Sequence, residues 1–219
     1  MVESYKTIYS SCSGEFVMKK SRFIANIIPV ETEEEATAFI DEMKKKYWDA
    51  THNCSAYVIG TKNPIMHCSD DGEPSKTAGR PMLDILLNQE LTNLVVVVTR
   101  YFGGTLLGTG GLVKAYQSAT IEGLKQGYII TKTLGYMMKI KTDYNFVGKI
   151  QYYLAQENIS TLSSDYTDIV QLNIIIPISL LDEFERNIAE ITNGQGELEE
   201  SGKVYYSIIN NKIQVYKND

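Results

Sequence analysis

Five consecutive apolar residues, Leu94 to Val98, followed by Thr99 and Arg100, constrain this chain more than any other stretch. A strand with one wet face alternates apolar and polar residues, and this one does not. It therefore reads as a central strand covered on both faces. Tyr101 and Phe102 follow, then a turn with glycines at 103, 104, 108, 110 and 111, and then a helix that carries Lys114 near its start. Such glycines permit positive φ and close approach of another molecule. Helix-start amides and the helix dipole favour an anion. Two readings stand side by side: a phosphate or carboxylate cradle flanked by Arg100 and Lys114, or a crossover whose glycines serve tight packing. Tyr101 and Phe102 either stack on a base or cover the sheet edge.

The second informative segment is Asp70-Asp71-Gly72-Glu73-Pro74-Ser75-Lys76-Thr77-Ala78-Gly79-Arg80-Pro81. Asp70, Asp71 and Glu73 form either a hard-cation site or a turn whose carboxylates cap amides and pair with Arg80 or Arg100, and the turn is favoured. Both segments sit at strand-to-helix junctions. This placement predicts one polar cluster of Asp70, Asp71, Glu73, Arg80 and Arg100 beside the glycine-rich turn. His52, Cys54, His67 and Cys68 are enough ligands in number for zinc, but adjacent His67 and Cys68 point oppositely on a strand and the usual cysteine spacing is missing. No metal and no cofactor are expected. No nucleophile elbow, Walker A pattern or HExxH is present, which argues against an enzyme.

Around these segments the chain reads as α+β. Residues 5–17 and 21–30 predict two strands. Residues 32–47 predict a helix opened by the capping-box pair Thr32 and Glu35, with Lys44 to Lys46 at its end as solvated, dipole-complementary charge rather than an RNA contact. Strands follow at 54–60 and 65–68, and a helix runs from Pro81 to about 89. A helix over 111–125 packs through Leu112, Ala115, Tyr116 and Ala119. From Gly135 onward the pattern restarts: strand 135–142, helix 144–156, hairpin 158–165 and 168–176, a helix capped by Ser179, a strand within 197–209 and an edge strand at 212–216. That order is the split βαβ of ferredoxin-like domains. Domains are expected at 1–132 and 133–219.

The formal net charge is −6, with 14 Lys+Arg against 15 Asp+Glu in residues 1–132 and 7 against 12 in 133–219. A dedicated nucleic-acid binder shows a basic excess, so RNA contact here requires a local basic patch. Three widely spaced cysteines make no disulfide framework, no stretch approaches a membrane span, and the N-terminus has no signal-peptide pattern. The expectation is a cytoplasmic protein.

The motifs DDGEPSKTAGRP and VVVVTRYFGGTLLGTGGLVKAY, in that order, resemble the YigZ/IMPACT family. Ser21-Arg22-Phe23-Ile24-Ala25, His52 and Cys54 fit the same pattern, and the likeness covers nearly the whole chain. Lys114 stands where that family is expected to carry arginine, so charge is kept and a bidentate fork is lost. The resemblance implies an N-terminal domain of the ribosomal-protein-S5-domain-2 type and a C-terminal domain like the ferredoxin-like modules of elongation factor G. It also implies a role in translational control, through contact with the ribosome, RNA or a translation-related protein. An enzyme acting on a phosphorylated or carboxylated small molecule and a pure protein-interaction module remain as alternatives.

Overall fold

The computed structural model describes residues 1–216. The chain forms two compact units, one of Tyr5–Thr131 and the other of Met1–Ser4 with Lys132–Asp219. The first four residues join the second unit because the Glu3 carbonyl accepts from Leu134 N at 2.7 Å and the Val2 carbonyl accepts from the Tyr205 hydroxyl at 2.8 Å.

Near the start of the chain β1 (Ser4–Ile8), which pairs with the strand over 129–142, ends at a bend, and β2 (Cys12–Met18) starts anew as the first strand of the first unit's own sheet, so the single strand expected over 5–17 is two. The break falls at Ser10-Ser11, just past Tyr9, whose amide donates to the Tyr128 carbonyl. Four further elements follow: β3 (Ser21–Pro29), α1 (Glu33–Lys46), β4 (His52–Ile59) and β5 (Ile65–Ser69). The unit is completed by α2 (Gly79–Asn88), β6 (Leu94–Tyr101) and α3 (Gly108–Lys125). The strands form an antiparallel sheet in the order β2-β3-β6-β4-β5.

The unbroken apolar run of β6 is explained by this position. Leu94, Val96 and Val98 face α2 and α3 with Met82, Leu86, Ala115 and Tyr116. Val95 and Val97 face α1 with Ala36, Phe39 and Met43. Because side chains alternate along a strand, Arg100 lies on the same face as Val96 and Val98, under α3. The capping box of α1 is present: Thr32 Oγ1 accepts from Glu35 N at 3.2 Å, and a Glu35 carboxylate oxygen accepts from Thr32 N at 3.4 Å.

The second unit contains β7 (Ile129–Thr142), α4 (Tyr144–Gln156), β8 (Thr161–Tyr166), β9 (Val170–Pro177), α5 (Leu181–Ile191), β10 (Glu197–Ile209) and β11 (Lys212–Tyr216). The path β11-β10-β7-β9-β8 carries the split βαβ of a ferredoxin-like domain with β11 added at its edge, and off this path β1 pairs with β7 as the sixth strand of the sheet. Its core packs Ile140, Ile150, Leu154, Leu172, Ile174, Phe184 and Ile188 between sheet and helices. Gly135 lies inside β7 rather than opening it. A Cβ there would come within 2.7 Å of the Ile176 carbonyl oxygen, so the glycine serves sheet packing. Ser179 does not cap α5; it sits in a short 3-10 turn, Ile178–Leu180. Both units are α+β with antiparallel sheets, the first of the ribosomal-protein-S5-domain-2 type and the second ferredoxin-like. Among the described residues no helix is long and apolar enough to cross a membrane.

Candidate functional site

The three acidic residues of the loop after β5 take three separate directions. Asp70 reaches forward to the start of α2: Oδ1 accepts from Ala78 N at 3.0 Å and Gly79 N at 2.9 Å, and Oδ2 accepts from Lys76 N at 2.7 Å. Ala78, the cap residue of α2, has no side-chain acceptor of its own, so Asp70 does the capping from eight residues upstream. The α2 helix consequently begins at Gly79, two residues before Pro81. Asp71 turns to β4 and α1, accepting from Asn53 N at 2.7 Å and pairing with Lys44 Nζ at 3.1 Å. Glu73 points into the unit. Carboxylates dispersed in this way do not converge on one cation, and among the described residues no cluster of metal-ligating side chains forms.

Glu73 and Arg100 form a buried ion pair. Arg100 Nη1 donates to Glu73 Oε1 at 2.6 Å, with the side chains 7% and 2% exposed. The Tyr116 hydroxyl donates to the same oxygen at 2.8 Å, and His52 Nε2 lies 3.9 Å from it. His52 Nδ1 is held 2.7 Å from the Asp71 carbonyl. The Arg100 guanidinium sits 5.5 Å from the ring centres of both Phe23 and Phe102. Phe23 in turn meets Tyr116 edge-on at 5.1 Å. Burial, followed by the charge and hydrogen bond of neighbouring Cys54, pushes the Tyr116 phenol far above its ordinary range, so it stays a donor.

Cys54 Sγ is 3.0 Å from the Asp70 carbonyl and 3.3 Å from the Tyr116 hydroxyl, and burial raises its thiol too. A thiol reagent at mildly alkaline pH is therefore expected to label exposed Cys68 first and Cys54 only after denaturation. Mass spectrometry of a labelling time course checks this; equal rates for Cys54 and Cys68 in the native protein would contradict it.

Of the residues expected in one cluster, only Glu73 and Arg100 pair directly; the Asp70 carboxylate caps α2, that of Asp71 holds β4 and α1, and Arg80 stands apart. Arg80 pairs with Asp84 at 2.8 Å on the exposed side of α2, one helical turn along. His52, Cys54 and Tyr116 complete the cluster instead. A tyrosine on the buried face of a helix needs a partner for its hydroxyl, and that is the signal that points to Tyr116.

The glycines after β6 fall into distinct kinds. A Cβ on Gly103 would overlap the Lys20 carbonyl and the Ser21 amide, and Gly103 N donates to Ser21 Oγ at 3.1 Å. Gly104 and Gly108 have φ of +80° and +72° and serve the turn. Gly111 has Leu107 at 3.0 Å from its Cβ position. Gly110 has neither reason: its φ is not positive and nothing lies within 4 Å of a Cβ there. Around it, α3 starts with Leu107 at the cap, without a side-chain acceptor and without an acid in its first turn. Lys114 is exposed and forms no ion pair among the described residues. Arg100, buried against Glu73, is not available to this helix start. Tyr101 is half-buried and donates to Asp49 Oδ1 at 2.9 Å, while Phe102 is 47% exposed.

Residues 19–124, which carry all of these features, match the Impact N-terminal domain, and residues 140–195 match a domain of unknown function (DUF1949). The IMPACT family member YvyE of Bacillus subtilis is 39% identical over 98% of this chain and 99% of its own length. The IMPACT family member YigZ of Escherichia coli is 36% identical over 83% of this chain and 90% of its own. A crystal structure described as that of a hypothetical protein superposes with a TM-score of 0.59 at 34% identity, covering 90% of this chain and 97% of the other. Relatives of one name thus run the length of both units, and this chain belongs to the IMPACT family.

Proposed function

We propose that this chain is a cytoplasmic regulator of translation that engages the ribosome, contacting an RNA phosphate or an acidic group of a translation-related protein at the start of α3. The carrying observation is the exposed, uncapped helix start whose Gly110 has no internal reason to be glycine, beside unpaired Lys114. A backbone that approaches an anion closely has such a reason. Membership of the IMPACT family supports the link to translation.

Co-sedimentation with ribosomes over a range of salt tests the reading. Gly110→Ala should keep or raise stability, by up to about 1 kcal/mol of helix propensity, and yet weaken sedimentation. Lys114→Gln should weaken it and flatten its salt dependence, because a phosphate contact releases counterions. If both variants sediment like the parent, the reading fails. Leu106 and Phe102, 82% and 47% exposed in the same turn, together present apolar surface beside the helix start and favour a protein component as the second reading. Leu106→Ser would then reduce binding to ribosomal protein while leaving any binding to isolated RNA intact.

A further inference from the structure

Trp48, the only tryptophan of the chain, is 82% exposed. Tryptophan is highly buried on average, and this one does not hang from a loose loop. It stands at the tip of the turn after α1, where Ala50 N donates to the Tyr47 carbonyl at 3.0 Å. That turn is pinned to the sheet. Thr51 N donates to the Arg100 carbonyl at 2.9 Å, the Tyr101 hydroxyl to Asp49 Oδ1 at 2.9 Å, and Asn53 Nδ2 to the Tyr47 carbonyl at 3.4 Å. A polar residue would serve such a turn equally well, so the fold itself has no use for the indole.

The same end of the sheet gathers unpaired positive charge. The registers Arg22↔Tyr101 and His52↔Arg100 bring the β2–β3 turn, the end of β6 and the start of β4 together there, with the last turn of α1 and the start of α3. Lys19, Lys20 and Lys114 are exposed and form no ion pair among the described residues. Lys45 and Lys46 complement the α1 dipole and add to the same field. The acids nearby are already matched: Asp71 to Lys44, Glu15 to Arg22, and Asp49 to the Tyr101 hydroxyl. Lys19 and Lys20 fill the two positive-φ positions of their hairpin turn, at 44° and 67°, where Asn-Gly is the favoured pair. Their charge stands there against local preference. On a chain of net charge −6, this end is a basic exception.

We infer that Trp48 is a stacking platform for an unpaired base of RNA, whose backbone phosphates pass Lys19 and Lys20. Single strands are held in this way: an aromatic face takes any base, and cations track the backbone. An apolar protein partner would satisfy the indole and strand the lysines, whereas a polyanion that carries aromatic bases satisfies both. Insertion into a lipid surface uses an amphipathic helix with a free apolar face, and α1 packs its own against β4 and β6. The inference rests on the reading of the α3 start as a contact with the ribosome and names RNA as the partner at that end of the unit.

Because Trp48 is the sole tryptophan, its emission reports this contact directly. Titration of the full chain with short single-stranded oligouridine and oligoadenine RNA should quench it saturably. The expected Kd is roughly 1–100 µM near physiological salt and weakens steeply as salt rises. A duplex of equal length, whose base faces are hidden, should quench far less. Binding of the labelled oligoadenine strand, read by anisotropy, should weaken roughly five- to a hundredfold in Trp48→Ser and much less in Trp48→Phe, which keeps a ring. Both variants should melt with the parent, since the ring is exposed. Changing Lys19 and Lys20 together to Gln should flatten the slope of log affinity against log salt by about 1.4. The inference is overturned by absence of quenching with both RNAs, by Trp48→Ser binding as tightly as the parent, or by a blue shift on phosphatidylglycerol vesicles without RNA binding. Ribosome sedimentation that still responds to Gly110→Ala and Lys114→Gln in that event would leave the α3 reading standing, so the two fail separately.

Discussion

Arg100→Ala lowers the stability of the first unit by about 3–5 kcal/mol, because it removes one partner of a buried ion pair and strands the other. Glu73, with its side chain 2% exposed, would keep only the Tyr116 hydroxyl and the more distant His52 against its charge. The packing of the guanidinium on Phe23 and Phe102 would go as well. A shift of roughly 10–20 °C in the melting temperature corresponds to that loss. The double change Glu73→Gln with Arg100→Met should recover part of it, since no buried charge is left alone. Thermal and urea denaturation of both variants beside the parent measure the effect, and a loss of less than about 1 kcal/mol for Arg100→Ala would remove the ion pair from the account. Loss of binding by an Arg100 variant would for the same reason reflect unfolding rather than a broken ligand contact.

Gly103→Ala costs about 3 kcal/mol, at the upper end for overpacking, because what the new methyl meets is backbone. The Lys20 carbonyl and Ser21 amide belong to the tight turn between β2 and β3, where Lys19 and Lys20 already hold φ of 44° and 67°. That turn has little room to retreat, and its Ser21 hydroxyl would lose the bond from Gly103 N. Side-by-side urea midpoints for Gly103→Ala and Gly110→Ala should therefore separate widely, with only the former falling. Equal midpoints would show that the turn yields freely.

The features legible in the sequence were those whose cause is local. The capping box of α1, the apolar periodicity of α3 and the strand–helix order of the second unit each follow from residues a few positions apart. The central place of β6 was legible because two covered faces leave no polar alternation. Ambiguity began where a residue has a nearby and a distant partner of the same kind. Arg80 had Asp84 one turn away, and Asp70, Asp71 and Glu73 all lay close in sequence, so spacing alone could not assign the pairs. The split of residues 5–17 and the position of Gly135 inside β7 depend on pairing with strands far along the chain, and local propensity does not report that. His52 and Tyr116 met at Glu73 only because β4 and α3 converge over one end of β6.

The loop from Asp70 to Thr77 has the composition of a mobile connection, with Asp-Gly and Glu-Pro turns, but its own side chains anchor it. One carboxylate holds three amides and another is locked in the interior. The amide hydrogens of Lys76, Ala78 and Gly79 should then exchange with solvent only when the whole unit opens, with core-like protection rather than the rapid local exchange of surface loops. Proteases that sample transient openings would find this acidic segment among the last places to cut.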